Sequence, residues 1–200
     1  MSTLCEIVEK AIDKVVADFQ NDPERFWNER DIHWSLFHYI KQENPVEEAY
    51  PTELIRAEFP TRKVFGDAKR ARGHYDLVIL NKESYQNPEV QGMKAQASWD
   101  DYLRLIQVDV AIEIKLWLYQ LQNKDMEKGI SWDIKKLTEE ENGVKNAYFL
   151  NFVQLTHKHM KDYCEKLRNY LIVQKNKYPS LNILCVPSDT SIIHKSDNWL

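Results

Sequence analysis

Gly-His-Tyr-Asp-Leu-Val-Ile-Leu, residues 73–80, and Val-Ala-Ile-Glu-Ile-Lys-Leu-Trp, residues 110–117, decide how this chain reads. Both stretches are apolar enough to be buried strands, yet they carry Asp76, Glu113 and Lys115. Charge inside a core is costly unless it is paired or bound to a metal ion. Two carboxylates and an amine in such a setting suggest a divalent-cation site.

Working outward from the second stretch, Val108, Val110, Ile112, Ile114 and Leu116 share one face of a period-two strand, and Asp109, Ala111, Glu113, Lys115 and Trp117 the other. A rise of about 3.3 Å per residue sets the Cα atoms of Glu113 and Lys115 roughly 6.6 Å apart. The carboxylate can then hold a cation while the ammonium reaches a water bound to it. Asp76 opens the unbroken apolar run Leu77 to Leu80, expected to be a strand covered on both faces. If the two strands pair, Asp76 lies beside Glu113.

A third carboxylate comes from Phe-Trp-Asn-Glu-Arg-Asp-Ile-His-Trp-Ser-Leu-Phe-His-Tyr-Ile, residues 26–40. Counted from Glu29, helical offsets give Ile32, His33, Leu36, Phe37 and Ile40, so Glu29 heads the core-facing stripe. Near a helix N-terminus a carboxylate is also favoured by the dipole alone. Set beside the two strands, it is read as part of the site.

An inward glutamate on an early helix, then Gly-x-x-Asp with an apolar strand, then Glu-x-Lys inside another, resembles the PD-(D/E)xK nuclease superfamily, with its restriction-endonuclease-like fold. The resemblance spans residues 25–187. The proline that names the motif is replaced by Tyr75, at a position where members vary. It implies Asp76 and Glu113 as metal ligands together with the backbone carbonyl of Ile114, Glu29 as an auxiliary ligand, and Lys115 as the residue that orients or activates water. The implied activity is hydrolysis of phosphodiester bonds in nucleic acid, DNA in the first instance, with Mg²⁺ as cofactor and Mn²⁺ as a substitute.

The remaining elements follow from period and breakers. Leu4 to Phe19 is an apolar-striped helix within residues 1–20, and Asn21, Asp22 and Pro23 break it and start the second helix. Leu54 to Phe59 forms a first strand ended by Pro60, and strands at 74–81 and 107–117 follow. Residues 81–105, between the two site strands, exceed what a hairpin needs and are read as an insertion with a short helix from Trp99 to Leu105. A helix at 125–140, a strand at 147–155, a helix carrying Met160 to Leu171 and a last strand at 181–186 complete the order. The expected fold is α/β: a mixed central sheet, with a three-strand antiparallel meander plus a crossover strand, flanked by helices. The 200 residues, 43% of them hydrophobic, form one nuclease-like domain with a sizeable core.

No long apolar run or signal-like N-terminus appears, so a soluble, cytoplasmic protein without membrane contact is expected. Cys5, Cys164 and Cys185 lack metal-ligand spacing and fit a reducing compartment. A net charge of −4 and a pI near 5.9 argue against simple duplex binding through a basic footprint. Positive charge is local: Arg62, Lys63, Lys69, Arg70 and Arg72 precede Asp76, and Lys135 and Lys136 follow Lys115. Either group touches phosphates or is solvated surface charge. His33 reads as a core residue and His74 as a phosphate contact or proton carrier. The tryptophans read as packing, with Trp117 alone, on the Glu113 face, worth testing against nucleic acid.

The rival expectation is a catalytically weak or inactive module of the same fold that binds nucleic acid or a protein partner, since fold does not fix function. A homodimer, or a partner that supplies specificity, is compatible with either.

Overall fold

A computed structural model of the protein describes residues 3–43, 51–64, 72–93, 98–118, 123–155, 160–190 and 198–200. Five strands form one mixed, open sheet in the order β1 (Ile55–Val64), β2 (Arg72–Leu80), β3 (Val108–Trp117), β4 (Val144–Val153) and β5 (Leu181–Pro187). The first three are antiparallel neighbours, while β4 runs parallel to β3 and β5 parallel to β4. The two parallel pairings need crossovers, which helices α6 (Asn123–Thr138) and α7 (Met160–Lys177) provide. The expected meander and crossover are therefore present.

Helices α1 (Leu4–Asn21) and α2 (Glu29–Glu43) cover one face of the sheet. A capping box starts α1: Thr3 Oγ1 accepts from the Glu6 N–H, and Glu6 Oε2 accepts from the Thr3 N–H. Its buried stripe includes Ile7, Ala11, Ile12 and Val15, packed with Leu77, Ile79, Ile112 and Ile114. Helices α6 and α7 cover the opposite face, over Val78, Ala111, Phe149 and Ile183. Both faces being covered explains why runs such as residues 77–80 in β2 and 147–150 in β4 are apolar on successive residues.

Several boundaries differ from the sequence reading for identifiable reasons. Pro23 opens a 3₁₀ turn over Pro23–Arg25, and α2 begins only at Glu29. Pro60 lies inside β1 instead of ending it, which is tolerated because β1 is an edge strand and its outward side needs no N–H. The segment between β2 and β3 is folded, with α3 (Lys82–Gln86), α4 (Pro88–Met93) and the expected α5 (Trp99–Leu105). Tyr85, Val90 and Leu103 from these helices are buried in the α6 and α7 side of the core.

One irregularity bears on the site. Glu58 has φ 50°, a left-handed conformation that costs a non-glycine residue roughly 1–3 kcal/mol. The register Ala57↔Leu77 and Phe59↔Tyr75 sets Glu58 opposite Asp76. Past this point the alternation changes face: Leu77 joins the core under α1 and α2, but Phe59 and Tyr75 join the core on the α6 side.

Candidate functional site

The β2–β3 ladder runs through Leu77↔Ile112, and a further step would set Asp76 against Glu113. There the Asp76 side chain replaces the backbone partner: its Oδ2 accepts the Ile114 N–H at 2.6 Å. Strand β3 continues to Trp117 in parallel register with β4. The site therefore sits at the carboxyl end of β3, where β2 leaves it, and this is where open α/β sheets place ligands.

Glu113 is fully buried. Lys136, from α6, brings its ammonium to 2.8 Å from Glu113 Oε1, and the same ammonium lies 2.9 Å from Asp133 Oδ1 and donates to the His74 carbonyl at 2.9 Å. The Lys136 ammonium is the group that meets Glu113 Oε1, and Glu113 Oε2 has no hydrogen-bond donor among the described residues. Lys115 Nζ lies 3.1 Å from Asp133 Oδ2 and 3.8 Å from Glu29 Oε1. Glu29 Oε1 also accepts the Leu116 N–H at 3.4 Å, tying the first turn of α2 to β3.

Burial pushes the Glu113 carboxyl well above its ordinary range, and the Asp76 charge pushes it further. Asp76 is raised by burial, against the opposing pull of the Ile114 N–H and of Lys115 and Lys136. Burial likewise raises Glu29, partly offset by Lys115. For Lys115 burial acts downward, but Asp133, Glu29, Asp76 and Glu113 outweigh it and hold the ammonium above its usual range. Lys136 is raised in the same way by Glu113 and Asp133 against its burial. Four carboxylates face two ammonium groups, a formal −2 when all six are ionised.

The structure thus brings Glu29, Asp76, Glu113 and Lys115 into one electrostatic cluster. Among the described residues, however, no three His, Cys, Asp or Glu side chains converge closely enough to hold a metal ion. The donor set still suits a hard cation: it is all oxygen, its carboxylates outnumber its ammonium groups, and its deepest member keeps one oxygen, Glu113 Oε2, without a hydrogen-bond donor among the described residues.

Sequence does not single out Asp133, and it leaves Lys136 as either a phosphate contact or a solvated surface charge. Lys136 is only 6% exposed, so it serves the carboxylates within the fold and offers no solvent-facing charge. Its place is fixed from three sides. Tyr75 Oη and Asn142 Nδ2 both donate to the Lys136 carbonyl, at 3.2 and 2.8 Å, and Gly73 leaves room for its stem. A Cβ at Gly73 would fall 2.8 Å from Lys136 Cδ.

The other expected contacts divide. His74 and Lys135 are exposed. Arg70 lies outside the described residues, and the side chain of Arg72 is likewise outside the description although its backbone is in β2. Of the same basic run, Arg62 donates to the carbonyls of Leu103 and Ile106, and Lys63 pairs with Glu139 at 2.7 Å, so both act within the fold. Trp117 is buried, with its Nε1 donating to Asn151 Oδ1 and its ring against Tyr163, which removes it as a surface for nucleic acid. Conversely Trp27, Trp34 and Trp132 are exposed where burial in the core was expected, although Trp34 still meets the rings of His33 and Phe37. His33 is half-buried; burial lowers its pKa, while the charges of Asp76 and Glu58 act upward.

Beside Glu29 opens a cleft of about 550 Å³ lined by Trp27, Asn28, Glu29, Arg30, Leu116 and Leu118. No described helix is long and apolar enough to cross a membrane. No family model, curated protein or solved structure matches the chain.

Proposed function

We propose that this chain is a divalent-cation-dependent nuclease that hydrolyses phosphodiester bonds in nucleic acid, DNA in the first instance, on a restriction-endonuclease-like core. The observation that carries the reading is the excess of buried carboxylate beside Lys115. A fold that keeps Glu113 fully buried near Asp76, with both carboxyls raised, bears an electrostatic cost that a bound cation would remove.

Asp76 and Glu113 would hold the ion, joined by the carbonyl of Ile114, whose N–H already faces Asp76. Glu29 would assist from α2. Such an ion, when bound, supplies charge neutralisation at phosphoryl oxygens and acidifies water. Mg²⁺ suits an all-oxygen donor set, and Mn²⁺ should replace it. Lys115, anchored by Asp133 and Glu29, would orient the attacking water and offset the negative charge that builds on the phosphorus centre. Lys136 keeps Glu113 tolerable in the core and fixes its position without touching substrate.

The test is incubation of the purified chain with single- and double-stranded DNA and RNA in Mg²⁺ or Mn²⁺. Cleavage abolished by chelation and by Lys115→Ala, in a variant with an unchanged circular dichroism spectrum, supports the reading. No cleavage under any of these metals and substrates overturns it.

A second reading, a catalytically silent nucleic-acid or protein-binding module, draws on one observation: Lys136 already compensates Glu113. It requires binding that chelation leaves unchanged.

A further inference from the structure

The solvent side of α2 carries a stripe of aromatic and basic residues, with Phe37, half-buried against the core, at its inner edge. Arg30, Trp34, Phe37 and Lys41 recur at offsets of four, seven and eleven, which places them within about 60° of one another around the helix. No Asp or Glu falls on this stripe. Trp34 is 68% exposed, its ring meets Phe37 edge-on at 6.0 Å, and Lys41 Nζ lies over the Phe37 ring. At the head of the stripe stands Trp27, 79% exposed, on the rim of the cleft that Glu29 and Leu116 also line.

The turn that presents Trp27 is anchored. Phe26 is buried against Phe19, and Gln154 Nε2 donates to the Pro23 carbonyl at 2.6 Å. Asp31 Oδ2 accepts the N–H groups of both Trp27 and Asn28, at 2.7 and 3.1 Å. Two largely exposed indoles, Trp27 on an anchored turn and Trp34 on the helix that follows, are more than the single scattered apolar side chain that needs no explanation. Aromatic faces interleaved with cations on a stripe free of acids match a single nucleic-acid strand, whose bases stack and whose phosphates pair. A paired base inside a duplex hides both of its faces and cannot stack on Trp27.

We infer that Trp27, Arg30 and Trp34 form a path for a single-stranded nucleic-acid segment that leads into the Glu29 cleft, with unpaired bases stacked on the two indoles. This rests on the nuclease reading for its direction, because the cleft shares Glu29 with the carboxylate cluster, but its binding test does not depend on cleavage. The path makes the substrate a strand with an unpaired segment beside the scissile phosphate.

The test is fluorescence anisotropy of a labelled oligothymidylate of about twelve nucleotides with the full chain in EDTA, which stops metal-dependent cutting. A matching duplex and thymidine monophosphate serve as the other arms. Trp27→Ala and Trp34→Ala should each weaken oligonucleotide binding at least about fivefold, the lower end for loss of one stacked base. Trp132→Ala, exposed on α6 away from the stripe, should leave it unchanged. Unaltered binding in both stripe variants overturns the path, as does a duplex bound as tightly as the single strand. A mononucleotide that binds as tightly as the oligomer, or no oligonucleotide binding at all, also overturns it and leaves the face to a small nucleotide or to a protein. Cleavage in Mg²⁺ with indifferent stripe variants removes the path and keeps the nuclease. Stripe-dependent binding without cleavage does the reverse.

Discussion

Lys136 holds its ammonium 2.8 Å from the carboxylate of Glu113, at a depth where Glu113 is wholly shielded from water. Buried pairs are weak contributors to stability when intact and strong liabilities when broken. Lys136→Met should therefore destabilise the fold by up to about 3–5 kcal/mol at neutral pH, because Glu113, with its carboxyl already raised, must either stay charged without its partner or take up a proton. The double variant with Glu113→Gln should recover most of that loss. Urea denaturation of the single and double variants checks both.

The pH dependence follows from the directions of the shifts. Glu113, Glu29 and Asp76 all have folded-state carboxyls above the ordinary values of 4.5, 4.5 and 3.8. The native state therefore binds their protons more tightly than the unfolded chain does. Their contribution to stability is fully present below those ordinary values and is lost as pH rises through the raised ones. The metal-free protein should accordingly lose stability from these groups as pH climbs from about 4 toward neutrality. Excess Mg²⁺ or Ca²⁺ should restore it at pH 7, by about 2.7 kcal/mol at a hundred times the dissociation constant. Thermal melts across pH, with and without the ion, measure this. Identical curves would remove the cation site.

Gly73→Ala inserts a methyl group 2.8 Å from the Lys136 stem and 3.3 Å from Thr61 Cγ2. Overpacking of this kind costs about 1–3 kcal/mol. Because the displaced group is the partner of Glu113, the ion-induced melting shift should change as well, whereas Gly92→Ala, in helix α4 with open space around it, should not destabilise the fold and should leave that shift unchanged.

Lys115→Ala should lower cleavage by about 10²–10³-fold, the range for removing one preorganised stabilising group, with little change in substrate KM. Asp133→Asn leaves Lys115 in place but removes its nearer anchor at 3.1 Å. It should lower kcat less than Lys115→Ala does, and Asp133→Glu should recover part of the loss. Steady-state kinetics separate the two.

Trp117→Ala should cost about 3–5 kcal/mol of stability as a buried aromatic deletion and leave oligonucleotide binding per folded molecule untouched. Chemical denaturation alongside anisotropy distinguishes this packing role from a surface one.

The order of elements was legible because the apolar periods are long and unmixed: α1 shows its stripe over four turns, and β3 alternates without interruption from Asp109 to Trp117. The site strands were legible for the same reason, since Asp76, Glu113 and Lys115 are charges where the period demands apolar residues. Asp133 and Lys136 were not. On a helix, charges spaced by three look like an ordinary surface pair, and only the packing of α6 against β3 turns that pair inward. Arg62 and Lys63 misled in the opposite sense, because pairing with distant carbonyls and with Glu139 leaves no trace in their own neighbourhood. The stripe of Arg30, Trp34, Phe37 and Lys41 was readable by counting, but the core stripe of the same helix drew the count instead. The change of face at Glu58 and Asp76 has no sequence signal, because it depends on one left-handed residue that is not glycine.

The substitution of a side chain for a backbone partner at Ile114 gives the protein a built-in reporter. The Ile114 N–H donates to Asp76 Oδ2, so its chemical shift and exchange rate track whether that carboxylate is charged, protonated or engaged elsewhere. A single ¹⁵N resonance would then follow occupancy of the cluster in solution, without substrate and without a label beyond the nitrogen itself.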